Sequence, residues 1–379
     1  MRKQTALFRR AKCLSVYWRD GRLCFHNFAT RLTTSGKPIT CEVLSFFDNW
    51  RTPQQAVTRF REYSKKSVRS AVSELVNREL LLQKDSPEAE HDHRIARAWS
   101  DWLPQGSFHF STKDTPYVDR SNWSLQRVKP FLPKAPQPNV VKTVKGAKGV
   151  VLPRRTFPNS EFIRVLQERK THRRFSNDKL PLELVSQLLS LVWGVTGYRN
   201  CPRFGKSVLK TSPSGGARHP GEVYLMALSV QGLTAGVYHY QPATHRLEMI
   251  STNASHQKAW LYCARQHFVR NAAALFIMTA VFPRTMWKYH HPRAYRVVLL
   301  DAGHLCQTFC LVATWLGLAP FCTAALKDTL IEKELGIDGV SESVLYVAGV
   351  GLPATSVRAR RQSSRNADRH AANPSQGGA

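Results

Sequence analysis

The sequence is short of acid. Among its 379 residues, 26 Asp plus Glu face 55 Lys plus Arg, a formal charge of +29. A field of that sign attracts polyanions, acidic peptides or phosphorylated ligands. The basic residues are spread along the chain rather than gathered in a block, so they equally suit plain solubility. No continuous run of about 20 apolar residues occurs, and no transmembrane helix is expected. The opening MRKQTALFRRAKCLSVYW lacks an apolar segment of signal-peptide length. The eight cysteines (Cys13, Cys24, Cys41, Cys201, Cys263, Cys306, Cys310 and Cys322) form no C-x-x-C pair and no zinc-type spacing. Several sit in apolar runs, where a free thiol packs as a small hydrophobe. A reduced, cytoplasmic protein without a metal site is expected. Also missing are a G-x-G-x-x-G after a strand, a P-loop and a G-x-S-x-G elbow. Their absence removes most support for nicotinamide-dinucleotide and serine-hydrolase readings.

Hydrophobic residues make up 42% of the chain, enough for a sizeable core, and the length allows two domains or one with an extension. In CLSVYWRDGRLCFHNF, residues 13–28, apolar alternation flanks Asp20-Gly21, a dipeptide suited to a tight primed turn. Thr52, Pro53 and Gln55 form a capping box with proline at the first helical position. Val68, Ala71, Val72, Leu75 and Val76 follow helical spacing, and Leu80 to Leu82 read as a short strand. Residues 1–90 therefore predict a winged-helix-like unit. Two readings stay open for it. Arg59, Arg61, Lys65, Lys66 and Arg69 suit DNA phosphates, while the same scaffold serves as a clamp that takes an extended peptide onto a sheet edge.

Residues 91–158 read as a proline-rich extended linker. Residues 159–353 read as one α+β domain of two amphipathic helices, several strands and the long stretch YRVVLLDAGHLCQTFCLVATWLGL. That stretch is apolar nearly all round and predicts a buried central helix. Residues 354–379 form a basic tail expected to be largely disordered.

Two segments carry chemistry. RKTHRRF, residues 169–175, sets charged and hydroxyl donors close together, a combination that suits a phosphate. TSPSGGARHP, residues 211–220, holds two glycines whose missing Cβ atoms let backbone approach a flat ligand. Each also has a plain reading, as a solvated helix end and an ordinary turn.

Taken in order, RKTHRRF, SPSGGARHPGEVYL, GVYHYQPATHRL, WKYHHPRAYRVVLLDAGHLCQTFCLVATWLGL and LYVAGVGLP resemble the nitroreductase-like flavoenzymes. They are most similar to the SagB/ThcOx-type dehydrogenases that modify ribosomally made peptides. The resemblance covers roughly residues 160–353. It implies an α+β fold, a central mixed sheet flanked by helices, working as a homodimer with FMN near the subunit interface. By matching motifs it implies Arg169, Lys170, Thr171 and Arg173 at the FMN phosphate, and Pro213, Ser214, Gly215 and Gly216 at the flavin ring. Thr323, Ala324 and Ala325 match the segment whose backbone N–H faces flavin N5, and Arg358 or Arg360 is a further phosphate contact. The N-terminal unit is similar to the family's peptide-recognition domain.

Lys288-Tyr289 matches the Lys-Tyr pair beside the flavin in azoline-oxidising members. Aromatising an azoline sends a hydride to flavin N5 and a proton to a base. Lys288 is the expected base, made neutral by burial and by cations such as Arg284 or Arg293, and Tyr289 orients the ring or relays the proton. Molecular oxygen reoxidises the flavin. Arg218-His219 departs from the Leu-Tyr common in azole-forming members and makes the flavin entrance more polar. In the long helix, Asp301 is available to the site and His304 reads as a satisfied core histidine. The expected activity is FMN-dependent oxidation of a modified peptide or similar heterocycle, with a cyclodehydratase as a partner and neither membrane nor nucleic acid required. The alternatives are a reductase of small electrophiles driven by NAD(P)H, a winged-helix DNA-binding regulator, and a non-catalytic peptide-presenting protein.

Overall fold

Strand β1 (Phe8–Arg10) leads into a hairpin, β2 (Leu14–Arg19) and β3 (Arg22–Asn27), closed at Arg19 opposite Arg22. Asp20 and Gly21 both take positive φ, 49° and 71°, as the primed turn requires. This computed structural model describes residues 6–117, 140–142, 144, 146–153 and 156–354; the tail from 355, Arg358 and Arg360 included, lies outside them. Strand β4 (Leu32–Gly36) completes a three-stranded antiparallel sheet in which β4 is an edge. Helices α1 (Ile39–Phe46), α2 (Pro53–Arg59) and α3 (Lys65–Asn77) follow, then β5 (Leu81–Gln83) pairs antiparallel with β1. At the start of α2 the Gln55 N–H donates to Thr52 Oγ1 at 3.1 Å and the Thr52 N–H to Gln55 Oε1 at 2.8 Å. Val68, Val72 and Leu75 of α3 pack with Phe25, Phe47 and Phe60 in a local core.

The extended linker expected from residue 91 is corrected over its first part. Residues Pro87–Ala98 form α4 and Leu103–Thr112 form α5. Ser86 caps α4, and Ile95, Trp99 and Trp102 recur at i, i+4 and i+7 with no exposed surface. They pack with Phe282, Tyr295 and Val298 of the following domain. The proline density farther along masked this periodic aromatic signal. Described residues between 140 and 160 contain neither helix nor strand.

The larger domain runs α6 (Glu161–Glu168), β6 (Leu180–Pro181), α7 (Leu182–Trp193), β7 (Gly197–Cys201) and β8 (Gly205–Leu209). Next come β9 (Gly221–Ala227), β10 (Val230–Gln231), β11 (Gly236–Gln241), β12 (Arg246–Ser251) and α8 (His256–Tyr262). The remainder is β13 (Ala274–Val281), α9 (Pro283–Met286), α10 (Ala294–Trp315), β14 (Ala319–Thr323), α11 (Asp328–Leu335) and β15 (Glu342–Gly351). The main sheet has the order β12-β11-β9-β13-β15-β14. It was expected to be mixed, yet every pairing in it is antiparallel. The parallel pair, β6 with β10, stands apart. Apolar runs mark strands but do not carry their direction.

Along β13, Phe276 and Met278 enter one core with α7 and α10, while Leu275 and Ile277 enter another with α8 and α11. A strand buried on both faces reads as one continuous apolar run. Each fully buried Phe or Leu contributes about 1.5–3 kcal/mol of transfer free energy. Helix α10, 22 residues long, is by length and composition apolar enough to cross a membrane, against the expectation that no such stretch exists. Its Leu305, Phe309 and Ala313 are buried in the larger core, so here it is the central helix.

Candidate active site

The segment Ser212–Gly215 is tied to one face of α10. Ser212 Oγ and Thr308 Oγ1 are 2.7 Å apart, and His304 Nδ1 lies 3.3 Å from the Pro213 carbonyl oxygen. Ser214 Oγ donates to Asp301 Oδ2 at 2.6 Å, and the Gly215 N–H to Asp301 Oδ1 at 3.3 Å. Asp301, His304 and Thr308 stand at i, i+3 and i+7, a spacing that puts them on one helix face. Burial raises the Asp301 pKa above its ordinary value, against the opposing hydrogen bonds from Ser214 and Gly215. His304 is exposed, so the expectation of a core histidine is corrected. Apolar neighbours in the sequence hid the fact that it lies on the face of α10 turned to this loop.

Beyond Ser214 the backbone is strained. Gly216, Ala217 and His219 take φ of 62°, 53° and 43°. Left-handed backbone at a non-glycine residue costs roughly 1–2 kcal/mol and gathers at functional sites. A Cβ on Gly215 would overlap Val297 Cγ1; one on Gly216 would overlap the Tyr289 hydroxyl and lie 2.9 Å from Lys288 Nζ. The glycine pair and the Lys-Tyr pair, more than seventy positions apart in the chain, therefore touch.

Lys288 and Tyr289 follow α9 and are half-buried, not an exposed loop. Lys288 Nζ stands 4.4 Å from the Phe204 ring centroid and 5.4 Å from that of Tyr289. From outside, Trp102 Nε1 donates to the Tyr289 carbonyl oxygen at 2.9 Å, and His290 Nδ1 is 2.9 Å from Asp101 Oδ2. Arg284 is ion-paired to Glu222 and donates to the His219 carbonyl at 3.1 Å. Its charge is thus neutralised by Glu222 rather than directed at Lys288. Trp102, Asp101 and Phe204 are site-supporting residues that the sequence reading missed; the pattern Ile95, Trp99, Trp102 was the signal for the first.

A cavity of about 700 Å³ adjoins this turn, lined by Lys206, Lys210, Arg218, His219, Arg284 and Trp287 among others. Arg218 lies 5.1 Å from the Trp287 ring centroid, so the polar departure at Arg218-His219 does face an open space. Burial, with Lys210 nearby, pushes the His219 pKa down to about 4. Burial alone would raise Glu222, but hydrogen bonds from His239 and Arg284 hold its carboxyl below the ordinary value.

The basic segment lies beside β14. Arg169 ends α6 and is half-buried, whereas Lys170, Thr171 and Arg173 are exposed. The His172 N–H donates to the Pro320 carbonyl at 2.8 Å, which lays the segment beside β14. That strand leads into Thr323, Ala324 and Ala325. Gln266 Nε2 and the Ala325 N–H both donate to Thr323 Oγ1, at 2.7 and 3.1 Å. The Ala325 N–H is thus engaged, and Ala324, between Thr323 and Ala325, is exposed. The candidate residues thus fall into two groups, Arg169–Arg173 with Thr323–Ala325 and Pro213–Gly216 with Lys288–Tyr289.

Comparison with known proteins gives these groups a context. The nitroreductase family description matches residues 166–352. A nitroreductase-like protein of Methanocaldococcus jannaschii, MJ1384, is 32% identical over 174 residues, covering 46% of this chain and 83% of that one. The chain belongs to the nitroreductase family. Two further relatives are named as processing proteins. The trifolitoxin-processing protein TfxB of Rhizobium leguminosarum bv. trifolii is 35% identical over 173 residues, 44% of this chain and 46% of the relative. The microcin B17-processing protein McbC of Escherichia coli is 31% identical over 160 residues, 38% of this chain and 55% of the relative. The alignments thus span about half the length of these two. The nitroreductase-family match takes in every candidate site residue except Arg358 and Arg360, and it begins after Asp101 and Trp102.

Proposed function

We propose that the chain is an FMN-dependent dehydrogenase that oxidises a heterocycle in a ribosomally made peptide, azoline to azole. The observation that carries this reading is the packing of Lys288 Nζ and the Tyr289 hydroxyl against Gly216 of the Pro213–Gly216 segment. The names of TfxB and McbC, processing proteins for trifolitoxin and microcin B17, support a processing role, and the resemblance to the SagB/ThcOx-type dehydrogenases points to a ribosomally made peptide.

The residues present fit such a cofactor. Exposed Lys170, Thr171 and Arg173, with half-buried Arg169, offer cations and a hydroxyl to a phosphate. Gly215 and Gly216 present backbone without side chains, and Ala324 offers an N–H. Bound there, FMN would supply a hydride acceptor. Lys288 takes the proton from the ring carbon, and Tyr289 orients the ring. Packing of the Lys288 amine on the Phe204 ring and the Trp102 hydrogen bond to the backbone hold the pair in place. The two groups complete each other in a homodimer, for which exposed Phe162, Leu166, Leu191 and Trp315 on α6, α7 and α10 provide an apolar face.

The N-terminal unit binds the peptide in this reading. A groove of about 340 Å³ lies along the edge strand β4 and α3, lined by Thr34, Ile39, Val43, Phe60, Tyr63 and Ala71 among others. An extended segment laid there adds a strand to β4. A cyclodehydratase acting first supplies the azoline, and molecular oxygen restores the cofactor.

The test compares the protein with Lys288→Ala and Tyr289→Phe variants loaded with FMN, using an azoline peptide and mass spectrometry to follow loss of two hydrogens. Lys288→Ala is expected to lower turnover about 10²–10⁴-fold at unchanged flavin occupancy. Full turnover in that variant would remove Lys288 as the base. Steady NAD(P)H consumption without any peptide would point to the reductase instead.

A further inference from the structure

The chain holds eight free cysteines, and the fold gathers three of them. Cys306 and Cys310 stand one turn apart on the buried side of α10, and Cys322 meets them from β14. All three Sγ atoms lie within 4.8 Å of one another. The Tyr346 hydroxyl on β15 donates to Cys322 Sγ at 3.3 Å. Arg169 is close enough to act electrostatically on Cys310 and Cys322. Apolar packing alone gives no reason for three sulfurs to converge, and a disulfide would use only two of them.

We propose that Cys306, Cys310 and Cys322 form a binding site for one soft divalent metal ion, Zn²⁺ by its chemistry. An all-sulfur donor set selects Zn²⁺ over hard cations such as Mg²⁺ or Ca²⁺, which take oxygen ligands. Zinc–sulfur bonds of about 2.3 Å place thiolates roughly 4 Å apart, a small contraction from the spacing here. Binding releases the thiol protons to solvent, and three thiolates on a divalent ion leave one negative charge. Arg169 is the cation placed to offset it. The ion would bolt α10 to β14 directly before the turn Thr323–Ala325, so it acts as a positioning element for that turn. The sequence hides this site because twelve positions and a change from helix to strand separate Cys310 from Cys322.

The experiment uses the full chain, reduced and freed of metal, without added flavin, so its outcome is independent of the proposed reaction. Zn²⁺ is titrated against a chromophoric chelator, and Cd²⁺ replaces it to report thiolate ligation through ultraviolet charge-transfer absorption. One Zn²⁺ per chain is expected, with a rise in melting temperature. Cys306→Ser, Cys310→Ser and Cys322→Ser should each weaken binding about tenfold or more, while Cys263→Ser should not. No uptake by the reduced wild-type chain overturns the proposal, whatever the variants do. So does uptake that survives replacement of all three cysteines.

Discussion

Gly216 combines a left-handed backbone with an occupied side-chain space. Its φ of 62° disfavours any L side chain, and the space a Cβ needs is filled by the Tyr289 hydroxyl and Lys288 Nζ. Gly205 has φ of 69° but open space around it. Gly205→Ala should therefore cost only the backbone term, about 1 kcal/mol in denaturant unfolding, and keep turnover. Gly216→Ala should lose at least as much stability and turnover as well, because Lys288 and Tyr289 must move. Equal turnover in the two variants would show that the contact is incidental. The tips of Lys288 and Tyr289 were legible as a motif, but their seat on Gly216 was not. Nothing in a contiguous stretch encodes a contact across more than seventy positions.

At the scale of elements, α4 and α5 act as a brace. Trp99 Nε1 donates to the Val340 carbonyl at 3.0 Å and Trp102 Nε1 to the Tyr289 carbonyl at 2.9 Å. His109 Nδ1 is 2.9 Å from the Tyr295 hydroxyl and its ring stacks on Trp99. Both tryptophans are fully buried, so losing an indole N–H strands a carbonyl at a cost of about 1–3 kcal/mol. Trp99→Phe and Trp102→Phe should lower stability by similar amounts. Only Trp102→Phe should also lower kcat, since its partner carries the Lys-Tyr loop. A matching kcat loss in Trp99→Phe would make the brace a general stabiliser. The helical spacing of Ile95, Trp99 and Trp102 was readable; the prolines that follow drew the reading towards a linker.

Across the whole molecule, buried histidines set the response to acid. His109 is fully buried and its pKa is driven well below 6.5 by desolvation and then by Lys113; His219 is pushed to about 4. Both bind a proton more readily when unfolded, so their contribution is present above about pH 6.5 and is lost as the pH falls towards their folded values. His239 works the other way. Hydrogen bonding to Glu222 raises its pKa, so its contribution is present below about pH 6.5 and fades as the pH rises through its folded value. Burial lowers His26 and His91 as well, so four lowered histidines, one of them wholly desolvated, outweigh one raised. Denaturant unfolding should show lower stability at about pH 5 than at about pH 7.5, with a flatter profile in His219→Asn. Higher stability at the lower pH would contradict this balance.

What the sequence alone determined is local. The Asp20-Gly21 turn, the capping box of α2, the buried face of α3 and the long apolar helix each depend on neighbours within one or two turns of chain. Hydrogen bonds and side-chain periodicity at that range are written in consecutive residues. The ordered motifs also placed the chain in its family, because motif order is itself a one-dimensional property. Tertiary structure alone decided the antiparallel main sheet, the exposure of His304 and the grip of Trp102 on the Lys-Tyr loop. It also decided the meeting of Cys306 and Cys310 with Cys322. Each of these depends on which faces pack together, and packing is settled by the burial of the whole chain at once rather than by any segment of it.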